Sequence, residues 1–206
     1  MKQKYVIDTH KFLTFTVVLG LMAWFHQWQN TTAWVYLGMH GTYGLLWLMK
    51  SNIFPDKNWE RPAPLWFNLL LSGGLLLYWI APLIITSQAV EAPAWMLGLT
   101  VSMFTFGVFF HYVSDMQKTI QIRYNPGHLI TDGMMGLSRN LNYFGEFLIY
   151  LSLTLLSMTW WLVLAYLIGA LVIFGLYISR KEKSMQRYPE FAEYKKKVRL
   201  FIPFLF

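Results

Sequence analysis

A serine, an arginine, two asparagines and a glutamate crowd the entrance of an apolar run in "GLSRNLNYFGEFLIYLS", Gly136 to Ser152. Ionisable residues in a span usually face protein or a cavity and are candidates for function. A structural account also exists. Asn142 can cap the helix that follows, and Glu146, one turn in, then sits at the positive end of its dipole. That accounts for the carboxylate, but less well for Ser138, Arg139, Asn140 and Asn142 together.

Three further stretches could carry chemistry. In "HYVSDMQKTIQIR", residues His111, Ser114, Asp115 and Lys118 recur at steps of three and four and share a helix face. Two readings are open. Either Asp115 and Lys118 form an i,i+3 pair with a snorkelling lysine, or the face lines a pocket in which Lys118 and Arg123 are offered to phosphates. "YNPGHLITDG" carries two turn signals, Asn-Pro-Gly and Asp-Gly, and reads as a structured loop. In "VYLGMHGTYGLLWLMK", Tyr36, His40, Tyr43, Trp47 and Lys50 form one stripe at helical spacing. Such a stripe serves packing or a site. A mid-span imidazole needs hydrogen-bond partners in hydrocarbon, and Tyr43 is one turn away.

The elements that must hold these residues are membrane spans. Of 206 residues, 56% are hydrophobic and 13% charged, too apolar for an ordinary soluble domain. About 20 consecutive apolar residues cross a bilayer as a helix. Six blocks approach this: Phe12 to Trp28, Ala33 to Met49, Leu65 to Thr86, Trp95 to Val113, Tyr143 to Met158 and Trp160 to Ser179. Phe12 to Trp28 lacks a following cleavage site and is expected to remain as the first span. None of the 17 Lys and Arg residues falls in the intervening loops Gln29 to Thr32 and Ser87 to Pro93 or in the Met158-Thr159 turn. The positive-inside rule then places both termini in the cytoplasm. The net charge of +7 expresses this bias, so nucleic-acid binding is not needed to explain it. The absence of cysteine excludes disulfides and thiol chemistry.

At these residues the chain resembles a known family. "SRNLNYFGE" is similar to the signature of the steroid 5α-reductase-like membrane proteins, which share a C-terminal domain with sterol reductases. The likeness continues in "HYVSD", Arg123 and Pro126-Gly127 upstream, and in "EYKKKVRLFIPFLF" downstream. It covers about Phe110 to Phe206; the earlier spans match in hydropathy alone. The wider superfamily also holds isoprenylcysteine carboxyl and phospholipid methyltransferases, which use S-adenosylmethionine. Gly145-Glu146, and a Glu182 that stands alone between lysines, resemble the reductase branch. Asn140-Leu141 departs from the His-Pro of many members.

The resemblance implies NADPH held between the fourth-to-fifth connection and the tail, through Asp115, Arg123, Ser138, Arg139, Asn142, Tyr143, Glu146 and Arg180, with Tyr194 as the tail tyrosine. Lys118 joins them through its place on the Asp115 face. No Gly-x-Gly-x-x-Gly follows a strand, so a Rossmann domain is excluded. The implied reaction is hydride transfer to a C=C bond conjugated to a carbonyl in a lipid-soluble, steroid-like or isoprenoid substrate. The Gln-Glu pair that serves the ketone in steroid reductases is absent from the second span. His40 and Tyr43 are the available donors there, as candidate catalytic residues. No metal site is expected.

The expected fold is all-α and polytopic: one membrane domain over 1–206, about six spans, both termini cytoplasmic. Residues 1–112 would form the substrate side, and 113–206 a cofactor site covered by the loop and the C-terminal helix. Either a bacterial inner membrane or an endoplasmic reticulum suits it. The alternatives are a methyltransferase using S-adenosylmethionine and a non-catalytic scaffold or lipid binder.

Overall fold

The structure, a computed structural model, describes Met1–Leu205. Its helices are α1 (Gln3–Trp24), α2 (Thr31–Ile53), α3 (Leu65–Leu76), α4 (Ile80–Ser87), α5 (Ala94–Tyr124), α6 (Met134–Leu137), α7 (Leu141–Leu155), α8 (Trp160–Met185) and α9 (Phe191–Lys197). A 3₁₀ turn, Leu77–Trp79, joins α3 to α4. Among the described residues there is no strand, only an isolated bridge between Lys2 and Pro62.

Among the described residues, four stretches are long and apolar enough to cross a membrane: α1, Leu65–Ser87, α5 and α8. This is the pattern of a multi-pass membrane protein. The other two expected spans fall short for different reasons. Helix α7 has 15 residues and rises about 22 Å, less than a hydrocarbon core of about 30 Å. Helix α2 has 23 residues but a polar interior stripe. It can carry that stripe because Tyr36, His40, Tyr43, Trp47 and Lys50 are all buried by protein. Helix α8 is the opposite case. Only 6% of its most apolar window is buried, so its surface must itself be compatible with lipid.

The chain divides into two compact units. The first comprises Met1–Ser102 with Ser152–Thr159, the second Met103–Leu151 with Trp160 onward. In the first unit, α1 and α2 pack so closely that a Cβ on Gly44 would collide with the carbonyl oxygen of Lys11. Asn30 starts α2: its Oδ1 accepts from the Ala33 N–H at 2.8 Å, while its Nδ2 donates to the Val90 carbonyl at 3.1 Å. One side chain thus caps the helix and holds the loop before α5. The N-terminus is tied to the α2–α3 connection, with Lys2 and Lys4 each 2.7 Å from Glu60.

In the second unit, α5 and α7 cross through paired glycines. A Cβ on Gly145 would lie 2.5 Å from the His111 nitrogen and 2.6 Å from the Gly107 oxygen. A Cβ on Gly107 would lie 2.8 Å from the Gly145 oxygen. Small residues of this kind let helix backbones approach in membranes.

Candidate functional site

Helix α7 begins at Leu141, so the capping position expected for Asn142 belongs to Asn140. Asn140's carbonyl receives the N–H groups of Tyr143 and Phe144 at 3.0 and 3.1 Å. Its side chain does not cap the helix. Nδ2 donates to the Leu200 carbonyl at 2.9 Å instead, and Oδ1 is buried without a partner. The tail competes for this asparagine and takes its amide.

The tail takes the neighbouring side chains as well. Ser138 Oγ donates to the Phe201 carbonyl at 2.9 Å. Arg139 Nε and Nη2 donate to Glu182 Oε1 and Oε2 at 3.0 and 3.1 Å, a bidentate pair. Its Nη1 reaches the carbonyls of Lys195, at 3.3 Å, and Val198. A single guanidinium N–H is left uncommitted. The backbone N–H of Arg139 adds a bond to the Arg199 carbonyl at 2.9 Å. Ser138, Arg139 and Asn140 therefore form a clasp on the segment that follows α9. Tyr194 closes the same seam by donating to the Met135 carbonyl at 2.7 Å. Burial pushes its phenol above the ordinary tyrosine range, so it remains a donor at neutral pH.

A second group of polar side chains gathers where α5, α7 and α8 carry their charged residues. His111 Nδ1 lies 3.1 Å from the Asn142 carbonyl, and its Nε2 lies 4.0 Å from Asp115 Oδ2. Ser114 Oγ is fully buried with no hydrogen-bond partner. Lys181 Nζ donates to the Arg139 carbonyl at 2.8 Å, approaches Asn142 Oδ1 at 3.5 Å and stands 5.5 Å from the Tyr143 ring centroid. Asp115 and Lys118 are near enough to Lys181 to act on its charge. Asp115 and Glu146 both act on Tyr112. The structure thus brings together Asp115, Lys118, Asn142, Tyr143 and Glu146. Ser138, Arg139 and Tyr194 are occupied with the tail and loop, whereas Arg123 and Arg180 are exposed. Lys181 was missed from sequence because a lysine after a span reads as a topology signal. Its position next to Arg180 gave no sign that it points inward.

The loop between α5 and α6 is fastened to α5 by Gln117. Its Nε2 donates to the Asp132 carbonyl at 3.0 Å, and its Oε1 accepts from the Met134 N–H at 2.9 Å. Gly133, at φ +55°, sits where a Cβ would strike that glutamine 2.8 Å away. The Asp-Gly turn signal marks this contact.

In the first unit, His40 and Tyr43 are fully buried. His40 Nδ1 is 2.9 Å from the Tyr36 hydroxyl, which also donates to the Tyr78 carbonyl at 3.1 Å. The expected partner one turn later, Tyr43, is thus replaced by Tyr36 one turn earlier. Lys11, buried on α1, lies 4.5, 5.2 and 5.3 Å from the ring centroids of Tyr43, Tyr78 and Trp47. His10 stacks on Trp79 with centroids 4.8 Å apart. Lys11 and His10 escaped sequence reading because α1 shows them as a basic flank of a span. Only packing against α2 and the 3₁₀ turn turns them inward.

The family described as "Protein of unknown function (DUF1295)" matches residues 51–198. The chain belongs to that family, which is part of the steroid 5α-reductase-like superfamily. No curated protein matches the chain.

Proposed function

From membership in this family we propose that the protein is an NADPH-dependent membrane reductase acting on a C=C bond conjugated to a carbonyl in a lipophilic substrate. The observation that carries the proposal is the gathering of Asp115, Lys118 and Asn142 about Lys181, with Asp115 and Glu146 both near Tyr112. Its donor set fits a nucleotide: ammonium groups for phosphates, and amide and carboxylate acceptors for ribose and carboxamide. Bound NADPH would supply the hydride. Lys118 and Lys181 are assigned to the phosphates, and Asn142 and Glu146 to orienting the ring. Arg139 and Ser138 hold the tail against α7, and so position Glu182 and Lys181 rather than contact phosphate. Tyr43, buried beside the Lys11 ammonium, is the proposed hydrogen-bond donor to the substrate carbonyl. We assign six crossings with both termini cytoplasmic, α2 and α7 being shielded by protein where they are too polar or too short.

One observation favours a second reading. Gly145 has a complete explanation in the α5–α7 crossing, so the Gly145-Glu146 step argues for a hydride donor through Glu146 alone. A methyltransferase using S-adenosylmethionine shares the rest of the site. Thermal unfolding of the purified protein with each nucleotide separates the two. NADPH is expected to raise Tm and S-adenosylmethionine to leave it unchanged. The reverse result selects the methyltransferase, and no shift with either selects a non-catalytic role.

A further inference from the structure

The 3₁₀ turn in the third span has a consequence for His40. Pro82 lies four residues after Tyr78 and has no N–H to give the Tyr78 carbonyl. A carbonyl released in this way inside a membrane must find another donor. Tyr36 supplies it, with its hydroxyl 3.1 Å from the Tyr78 oxygen. A phenol has one hydrogen. With that hydrogen on the Tyr78 carbonyl, the 2.9 Å contact to His40 Nδ1 must be an Nδ1–H donating to the Tyr36 oxygen. The opposite arrangement leaves the Tyr78 carbonyl without this donor and also buries an unpartnered Nε2–H, and orphaned N–H groups are the rarer case in proteins. Neutral His40 is therefore protonated at Nδ1 and bears a lone pair at Nε2. That nitrogen is fully buried and has no partner.

We propose that His40 Nε2 accepts a hydrogen bond from the hydroxyl of a lipophilic ligand, so that His40 itself recognises an alcohol or enol O–H and not a carbonyl oxygen. A ketone, ester or ether has no hydrogen to offer this atom, whereas a hydroxyl has one. Nearby His10 strengthens the case. Its ring nitrogens also lack partners, the Leu75 carbonyl lying alongside without completing a bond. A neutral imidazole contains one N–H, which a hydroxyl oxygen can accept. His40 is thereby a specificity residue for the reductase reading, which supplies the premise that this unit meets the substrate. Carbonyl polarisation stays with Tyr43.

The test is direct. Protein labelled with ¹⁵N-histidine and held in lipid nanodiscs is observed by long-range ¹H–¹⁵N correlation, with His40 assigned through His40→Gln. An Nδ1–H pattern is expected, and Tyr36→Phe should disturb it; an Nε2–H pattern in the parent protein overturns the inference. Dodecan-1-ol is then added, with dodecyl methyl ether as the matched control. The alcohol is expected to move the bare Nε2 resonance upfield and the ether to leave it in place. His40→Phe should weaken alcohol binding roughly tenfold, the loss of one hydrogen bond. Equal effects of alcohol and ether, or no effect of either, overturn the proposal. None of these readings involves nucleotide, so a protein that fails to bind NADPH refutes the reductase reading while leaving this result standing.

Discussion

The two units solve the problem of buried polar side chains in opposite ways. In the second, Ser138, Arg139 and Asn140 give their donors to backbone carbonyls of the tail and to Glu182. In the first, Lys11 lies against the faces of Tyr43, Tyr78 and Trp47, while nitrogens of His10 and His40 have no partner. Directional bonds to a carboxylate and carbonyls fasten one segment to another. Aromatic faces attract a cation through the charge distribution of the ring. The second unit's arrangement holds the chain, while the first unit leaves the imidazole nitrogens that the proposed ligand would meet.

Removing the central charge from each unit should break this comparison most visibly. Arg139→Leu leaves Glu182 half-enclosed without its counter-ion and is expected to cost about 3 kcal/mol. The tail from Lys195 to Phe201 should then exchange its amide hydrogens faster and become open to trypsin. Lys11→Met keeps the stem volume and removes the cation–π contacts, and thermal unfolding should register about 1 kcal/mol from them. Equal losses from the two substitutions would dissolve the distinction between the two units.

The next test separates fold from chemistry within one dipeptide. Gly145→Ala pushes a methyl into the His111 and Gly107 backbone and should destabilise by about 2 kcal/mol through overpacking. Glu146→Gln keeps the shape and should leave Tm unchanged while weakening NADPH binding roughly tenfold, as calorimetry would show. A smaller effect is expected at Asn30, where alanine removes the α2 cap and its bond to Val90 at a cost of about 1 kcal/mol.

The smallest effect lies at the exposed N-terminal seam. Hydrogen bonds and charge from Lys2 and Lys4 hold the Glu60 carboxyl below its ordinary value. A depressed carboxyl contributes stability above its unfolded value and loses it as pH falls through the folded one. The Lys2–Glu60 seam should therefore loosen only below the usual glutamate value of about pH 4.3. Amide exchange at Lys4 and Ala63, whose N–H groups bond to Trp59 and Met1, would report it.

Much of the architecture is written in local pattern. The apolar blocks of α1, the third span, α5 and α8 depend on composition over a helix's length, and no tertiary contact is needed to see them. The stripe from Tyr36 to Lys50 correctly marked one face of α2, and the His111-to-Lys118 spacing marked one face of α5. The sequence could not show what each face meets. The capping position expected at Asn142 lies at Asn140, since α7 starts at Leu141, and the Asn140 side chain does not cap because its amide is given to a carbonyl sixty residues away. Arg139, matched by its motif to the nucleotide, found Glu182 and the tail carbonyls.

Periodicity and hydropathy thus determined the helices and their polar faces, since both arise from neighbours within a turn or two. Which donors are already engaged was decided by tertiary structure alone. A guanidinium, a serine hydroxyl or an imidazole has the same letter in the chain whether its partner is a distant carbonyl or a ligand. The Gly145-Glu146 pair shows the division within two residues: a backbone crossing explains the glycine, and the carboxylate is the one on which the proposed nucleotide binding depends.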